Sequence, residues 1–130
     1  MAEALTIPEW PPGTVTVLVT GSRAIPMSTA VRVGDRTVRF GLGRRRGSLA
    51  RLRADARCAL IVIAEGVAVT LYGSAREAGE VEGVVALEMD VDEVADHLTP
   101  LTRIEAGVAW EWTDEDAAAR DAAVRRGLCE

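Results

Sequence analysis

The chain has 130 residues, of which 48% are hydrophobic, 27% charged and 4% aromatic, and it carries a net charge of −5. That length and composition suit one packed domain, and they argue against disorder and against a second independent core. The acidic balance disfavours a sequence-blind nucleic-acid binder, and the longest apolar run, Cys58 to Ala64, is too short to span a bilayer.

The first residues carry Glu3, Pro8, Glu9 and the Pro11-Pro12 pair, with neither the basic start nor the apolar stretch of a signal peptide. A soluble cytoplasmic protein is therefore expected, with no membrane and no nucleic-acid partner. All 15 basic residues are arginine, and lysine, asparagine and glutamine are absent. A GC-rich genome accounts for that bias without a functional reason, but the lack of lysine still excludes a Schiff-base or Walker-type lysine. Cys58 and Cys129 make no disulfide framework. A single histidine without a Cys-x-x-Cys leaves too few ligands for an ordinary zinc site, so no metal is expected.

In Thr14 to Thr20, Val15, Val17 and Val19 fall on one face, the period of a half-buried strand. Gly21-Ser22-Arg23 reads as a turn and Met27 to Val33 as a second strand. Gly34-Asp35 is a tight turn into a third strand, Thr37 to Leu42. Gly41-Leu42-Gly43 then breaks the ladder ahead of Arg44-Arg45-Arg46-Gly47-Ser48. From Ser48, an expected N-cap, Leu49, Leu52 and Ala56 recur at helical spacing in a short helix ending near Asp55. Cys58 to Glu65 and Val67 to Ala75 read as a central hairpin turning at Glu65-Gly66, buried on both faces. A polar turn, Gly79 to Gly83, precedes a strand from Val84 to Met89.

Asp90 to Leu98 has the spacing of a helix, with Val91, Val94, Ala95 and Leu98 on one face. Arg103 to Trp112 reads either as a last strand or as an irregular segment. Thr113-Asp114-Glu115-Asp116 is a helix start, with a capping threonine and acids against the positive end of the dipole. Gly127 reads as the stop of the alanine-rich helix that follows. Strands followed by helices give an α+β, mainly β class. Six to seven antiparallel strands close their edges best as a small barrel, with a short helix after strand three and C-terminal helices. The domain is expected to span 1–130, as an N-terminal extension (1–11), a barrel core (12–90) and C-terminal helical and strand elements (91–130).

Arg44, Arg45 and Arg46 beside the backbone N–H groups of a helix start can bind an anion, above all a phosphate, although arginine runs also serve as solvated loops. Around this turn the chain resembles a known family. The pattern is Pro26-Met27-Ser28-Thr29-Ala30-Val31, a Gly-Asp hairpin, a strand to Phe40, the basic turn, then Leu49-x-x-Leu52-Arg53-x-Asp55-x-Arg57-x-x-Leu60. It is similar to the pyridoxamine 5′-phosphate oxidase-like, flavin-binding split barrels. Arg51 to Cys58 matches that family's Asn-Leu-Arg-x-Asp-Pro-Arg-Val stretch. Tyr72-Gly73-Ser74-Ala75 resembles a later strand, and Gly107 to Asp114 resembles the ending of small actinobacterial members. The resemblance covers residues 12 to 116. It departs at Gly47-Ser48, where many members carry Arg-Lys, at Ala56 in place of proline, and at the first turn, which lacks Asp-Gly.

The resemblance implies a homodimer of split barrels with FMN, or a deazaflavin coenzyme, in a groove at the dimer interface. Met27, Ser28, Thr29, Ala30 and Val31 would line the ring, and Arg44, Arg45, Arg46 and Ser48 would hold the phosphate. Tyr72 and Ser74 would contribute from the facing subunit. Trp110 and Trp112 alternate, so they either cap the cofactor slot or dimer seam, or pack the barrel bottom. Trp10 is expected to plug a barrel end, and Tyr72 to be core or cofactor-lining. His97 reads as a surface or packing residue. No catalytic residue is identified, and no Gly-x-Ser-x-Gly elbow frames a serine. The leading expectation is a flavin-dependent oxidoreductase acting on a small molecule. The alternative is a split barrel that serves as a non-catalytic binding module, with no cofactor bound.

Overall fold

A computed structural model describes residues 5–130; the first four residues of the expected N-terminal extension lie outside the described residues. The apolar run Arg57–Ala64 (β5) pairs along its whole length with Val67–Val81 (β6), turning at Glu65-Gly66 where Gly66 takes φ +70°. β6 continues well past Ala75 and turns at Glu82-Gly83, both in the left-handed region, into Val84–Asp96 (β7). Positive φ at both central positions suits the right-handed twist of a tight hairpin.

The first strand is Thr16–Thr20 (β1), and a two-residue turn at Gly21-Ser22 leads to Arg23–Met27 (β2). Val31–Arg32 (β3) and Thr37–Leu42 (β4) form the next hairpin. All pairings are antiparallel, and the sheet order is β2-β1-β5-β6-β7-β4-β3. β2 and β3 are thus opposite edges, yet only Ser28, Thr29 and Ala30 separate them in sequence. Four Cα steps reach at most about 14 Å, whereas a flat seven-stranded sheet holds its edges about 29 Å apart. The sheet must therefore curl until its edges meet, which makes a mainly-β split barrel.

Among the described residues no backbone ladder joins β2 to β3, and side chains anchor the crossover between them. Thr29 Oγ1 accepts from Gly41 N at 3.2 Å and donates to Gly41 O at 3.3 Å. The Trp10 indole donates to Ala30 O at 3.0 Å, so Trp10 latches the crossover as well as packing on the core. The barrel interior holds Leu18, Phe40, Leu60, Val62, Leu71, Leu87 and Met89, all buried. Gly47–Ala54 (α1) closes one end with Leu49 and Leu52. Glu115–Cys129 (α2) lies outside the wall, where Val124 and Leu128 form a second small core with Val31 and Ala86.

Several expectations are corrected. Asp90 to Leu98 is strand through Asp96, not helix. Tyr72 pairs with Glu93 but Gly73 pairs with Val91, so Asp92 is an extra residue on β7. This bulge spaces the inward-facing Val91 and Val94 three apart, which mimics helical periodicity. A Cβ at Gly73 would collide with the Asp90 carbonyl, so the bulge needs glycine there. The expected second strand, Met27 to Val33, is split between β2 and β3, so α1 follows the fourth strand. In β1 the buried side chains are Thr16, Leu18 and Thr20, and the valines face outward. Thr16 donates to Met27 O at 3.3 Å, and Thr20 accepts from the Arg51 guanidinium at 2.8 Å.

The segment 103–112 is irregular apart from a bridge between Thr14 and Ala109. Asp114, not Thr113, caps α2, accepting from Asp116 N at 2.9 Å. Gly127 does not stop the helix. A Cβ there would strike Val81, so this glycine allows close packing on β6. Among the described residues no helix is long and apolar enough to cross a membrane.

Candidate functional site

Where the split runs past α2, the chain leaves a cavity of about 440 Å³. β2 and the crossover supply one wall, Ile25 to Thr29. The end of β4 supplies the floor, Gly41 to Gly43, with Val84 beside it. α2 supplies the other wall through Ala117, Arg120, Asp121 and Val124, and Arg46, Trp110 and Trp112 stand at the rim. The indoles meet edge to face, 6.0 Å between ring centres at 72°, and both are about two-fifths exposed. Two large apolar rings in contact and exposed beside a concavity form the kind of patch that serves as a binding surface.

α2 is pinned to the crossover by a polar cluster. Ser28 Oγ donates to Asp121 Oδ1 at 2.9 Å, Asp121 also pairs with Arg125, and Arg125 donates to Ser28 O. Both charged side chains are largely buried, so each satisfies the other's charge. Ser28 is consequently committed to α2. Arg46 and Arg120 form no ion pair among the described residues. With Asp121 and Arg125 neutralising each other, the rim is net positive.

Of the residues expected at a cofactor site, Met27, Ser28, Thr29, Arg46 and Trp110 share this cavity. Ala30 joins the barrel core and Val31 packs under α2. Arg44 and Arg45 line an adjoining shallow cleft with Arg46, and Arg44 is paired with Glu80. Ser48 does not cap α1, whose N-cap is Arg46. It is buried one residue into the helix and accepts from Arg51 at 3.3 Å. Tyr72 and Ser74 lie on the outer face of β6, away from the cavity, where Ser74 accepts from Arg57 at 3.3 Å.

Trp112 stands beside Trp110 at the cavity, one of the two placements expected of that pair, while Gly41, Arg120 and Asp121 also line it and were not singled out as ligand positions. For Asp121 and Arg125 the available signal was their i,i+4 spacing on the side of α2 that also carries Val124 and Leu128. His97 follows β7 and bonds Thr70 through Nε2 at 2.7 Å, far from the groove in the sheet. Burial pushes the Cys58 thiol up to about 11, against a smaller opposing effect of Arg57, so it stays protonated and unreactive.

No family model and no curated protein matches the sequence. Solved structures do match the fold. A candidate pyridoxamine 5′-phosphate oxidase from Listeria innocua superposes with a TM-score of 0.54 at 11% identity, over 65% of this chain and 88% of its own. Nitrilotriacetate monooxygenase component B from Mycobacterium thermoresistibile gives 0.56 at 12% identity, over 79% and 87%. HupZ of Group A Streptococcus gives 0.57 at 10% identity, over 74% and 90%. The chain has the split-barrel fold of these proteins. In this split barrel the latch residues Ser28 and Thr29 sit in the same cavity as the free arginines, so the seam of the fold and the candidate site coincide.

Proposed function

We propose that the protein is a flavin-dependent oxidoreductase of the pyridoxamine 5′-phosphate oxidase-like type, working in the cytoplasm as a homodimer on a small substrate. FMN, or a deazaflavin coenzyme, would occupy the groove at the split. The observation that carries this reading is the pairing of an apolar floor with two arginines, Arg46 and Arg120, that have no carboxylate partner among the described residues. The cavity's 440 Å³ falls within the range of about 300–1,000 Å³ typical of small-ligand sites. Ile25, Met27, Leu42 and Val84 would exclude water from a ring, while the Gly41–Gly43 backbone permits close approach. Arg46 and its neighbour Arg45 would hold a phosphate. When bound, a flavin supplies the hydride chemistry itself, and the protein's part is to orient it and keep the site dry.

The homodimer is supported by the outer face of β1, β5 and β6. Val17, Ile61 and Thr70 form one cross-strand row there, and Val19, Ala59 and Tyr72 a second, with no charge in either. By the resemblance, Tyr72 and Ser74 of one subunit would face the groove of the other. One observation favours a second reading, a non-catalytic binding module: Asp121, the one carboxylate lining the groove among the described residues, is held by Arg125 and Ser28 and is not free as an acid or base.

A visible absorption spectrum of the purified protein, with and without added FMN or 8-hydroxy-5-deazaflavin, tests the proposal. A perturbed flavin or deazaflavin band that stays with the protein through gel filtration is expected. A colourless protein that retains neither overturns it.

A further inference from the structure

Segment 97–112 runs around the outside of the barrel. It is held by backbone bonds from Gly66 N to Ile104 O and from Val15 N to Val108 O. Gly107 lies so close to the Ile63 carbonyl that a Cβ would collide with it. This fixes the track of the chain just before Trp110 and Trp112 reach the groove. After the Asp114 cap, α2 brings Arg120 to the same cavity. The Asp121–Arg125 cluster on the next turn then locks the helix to the crossover. Two anchored segments thus bring an aromatic corner, and a cation without a carboxylate partner among the described residues, to the groove.

We infer that the C-terminal segment supplies the second half of the ligand site: Trp110 and Trp112 hold the ring, and Arg120 opposes Arg46 as a second clamp on the ligand's anionic group. This rests on the reading that the groove takes a flavin phosphate. Two cations on separate elements select a ring that bears an anion over its neutral counterpart, because each guanidinium contributes only where a negative oxygen lies within hydrogen-bond reach. The indole corner contributes to both ligands alike, since its attraction depends on the ring and not on the charge.

FMN and riboflavin, which share one ring system and differ by the phosphate, separate these roles when titrated against the full chain by flavin fluorescence. Arg120→Ala is expected to weaken FMN about tenfold, the scale of one lost charged contact, and to leave riboflavin unchanged. Arg120→Lys, which keeps the charge, recovers part of the loss. Trp110→Ala with Trp112→Ala weakens both ligands by a similar factor. Arg126→Ala, which removes the same charge from the same helix outside the groove, changes neither, and thermal unfolding checks that each variant is folded. FMN binding by the wild-type chain that survives Arg120→Ala undiminished overturns this inference and leaves the flavin reading standing. A wild-type chain that binds no FMN overturns both.

Discussion

The barrel wall is left open in two places, and the openings differ in kind. At the split the surface is concave, its apolar floor is rimmed by cations unpaired among the described residues, and the buried Asp121 and Arg125 are locked together. Over β1 and the adjoining parts of β5 and β6 the surface is a plain sheet face of Val17, Val19, Ala59, Ile61 and Tyr72, bordered by the Arg57–Asp92 pair and covered by no helix among the described residues. The neighbouring outer face of β4 and β7 is different again. It is crossed by Arg39–Glu88, Arg76–Glu88 and Arg76–Asp90 pairs, and α2 covers its end. A concave surface with unpaired charge suits a small anionic ligand. A flat, mostly apolar sheet face suits another protein surface, which the proposed homodimer would supply.

The largest expected effect breaks the sheet-face side of this contrast. Ile61→Asp sets a charge in the middle of the face, and sedimentation should move from dimer to monomer. A wild-type chain already monomeric at the same concentration would sink the dimer assignment. Next comes the lock behind the groove. Asp121→Ala strands the Arg125 guanidinium and frees Ser28, so urea unfolding should register a loss of about 3 kcal/mol. A loss no larger than that of an exposed Arg126→Ala control would mean that α2 is not held this way.

A smaller change sharpens the ligand side. Arg45→Ala with Arg46→Ala should weaken FMN by about ten- to a hundredfold while leaving the melting curve and the oligomeric state alone. Equal affinity in the double variant removes the phosphate assignment. The smallest effect belongs to Cys58, on the inner side of β5. Folding raises its thiol from 9.0 to about 11 because burial disfavours the thiolate. A raised acid contributes its stability below the unfolded value and loses it as pH climbs through that window, so unfolding free energy should decline above about pH 9. In Cys58→Ala that part of the decline disappears. An identical slope in both chains would contradict the burial account.

The sequence shows β4, the β5–β6 hairpin and both helices readily, because each has its own local period and turn residues, but the hairpin buries one face of β5 and not the two expected. It hides the elements whose shape depends on distant pairing. Val91 and Val94 look helical because a bulge at Asp92 breaks the alternation, and the need for that bulge lies across the sheet at Gly73. Met27 to Val33 looks like one strand because local alternation does not record the change from one sheet edge to the other. The valines of β1 look like core because apolar periodicity cannot separate an inner face from an apolar outer one. At the groove, Met27, Thr29, Arg46 and Trp110 are legible from the resemblance. Arg120 is not, because an arginine on an alanine-rich helix looks solvated until the fold shows what it faces.

The most direct test of the groove as the ligand site is an FMN titration followed by tryptophan emission in a Trp10→Phe chain, whose remaining indoles are Trp110 and Trp112 at the rim. The account predicts saturable quenching of most of the emission at one FMN per chain. FMN that binds, by its own absorbance shift, while the emission stays unchanged would place the ligand elsewhere and contradict the account.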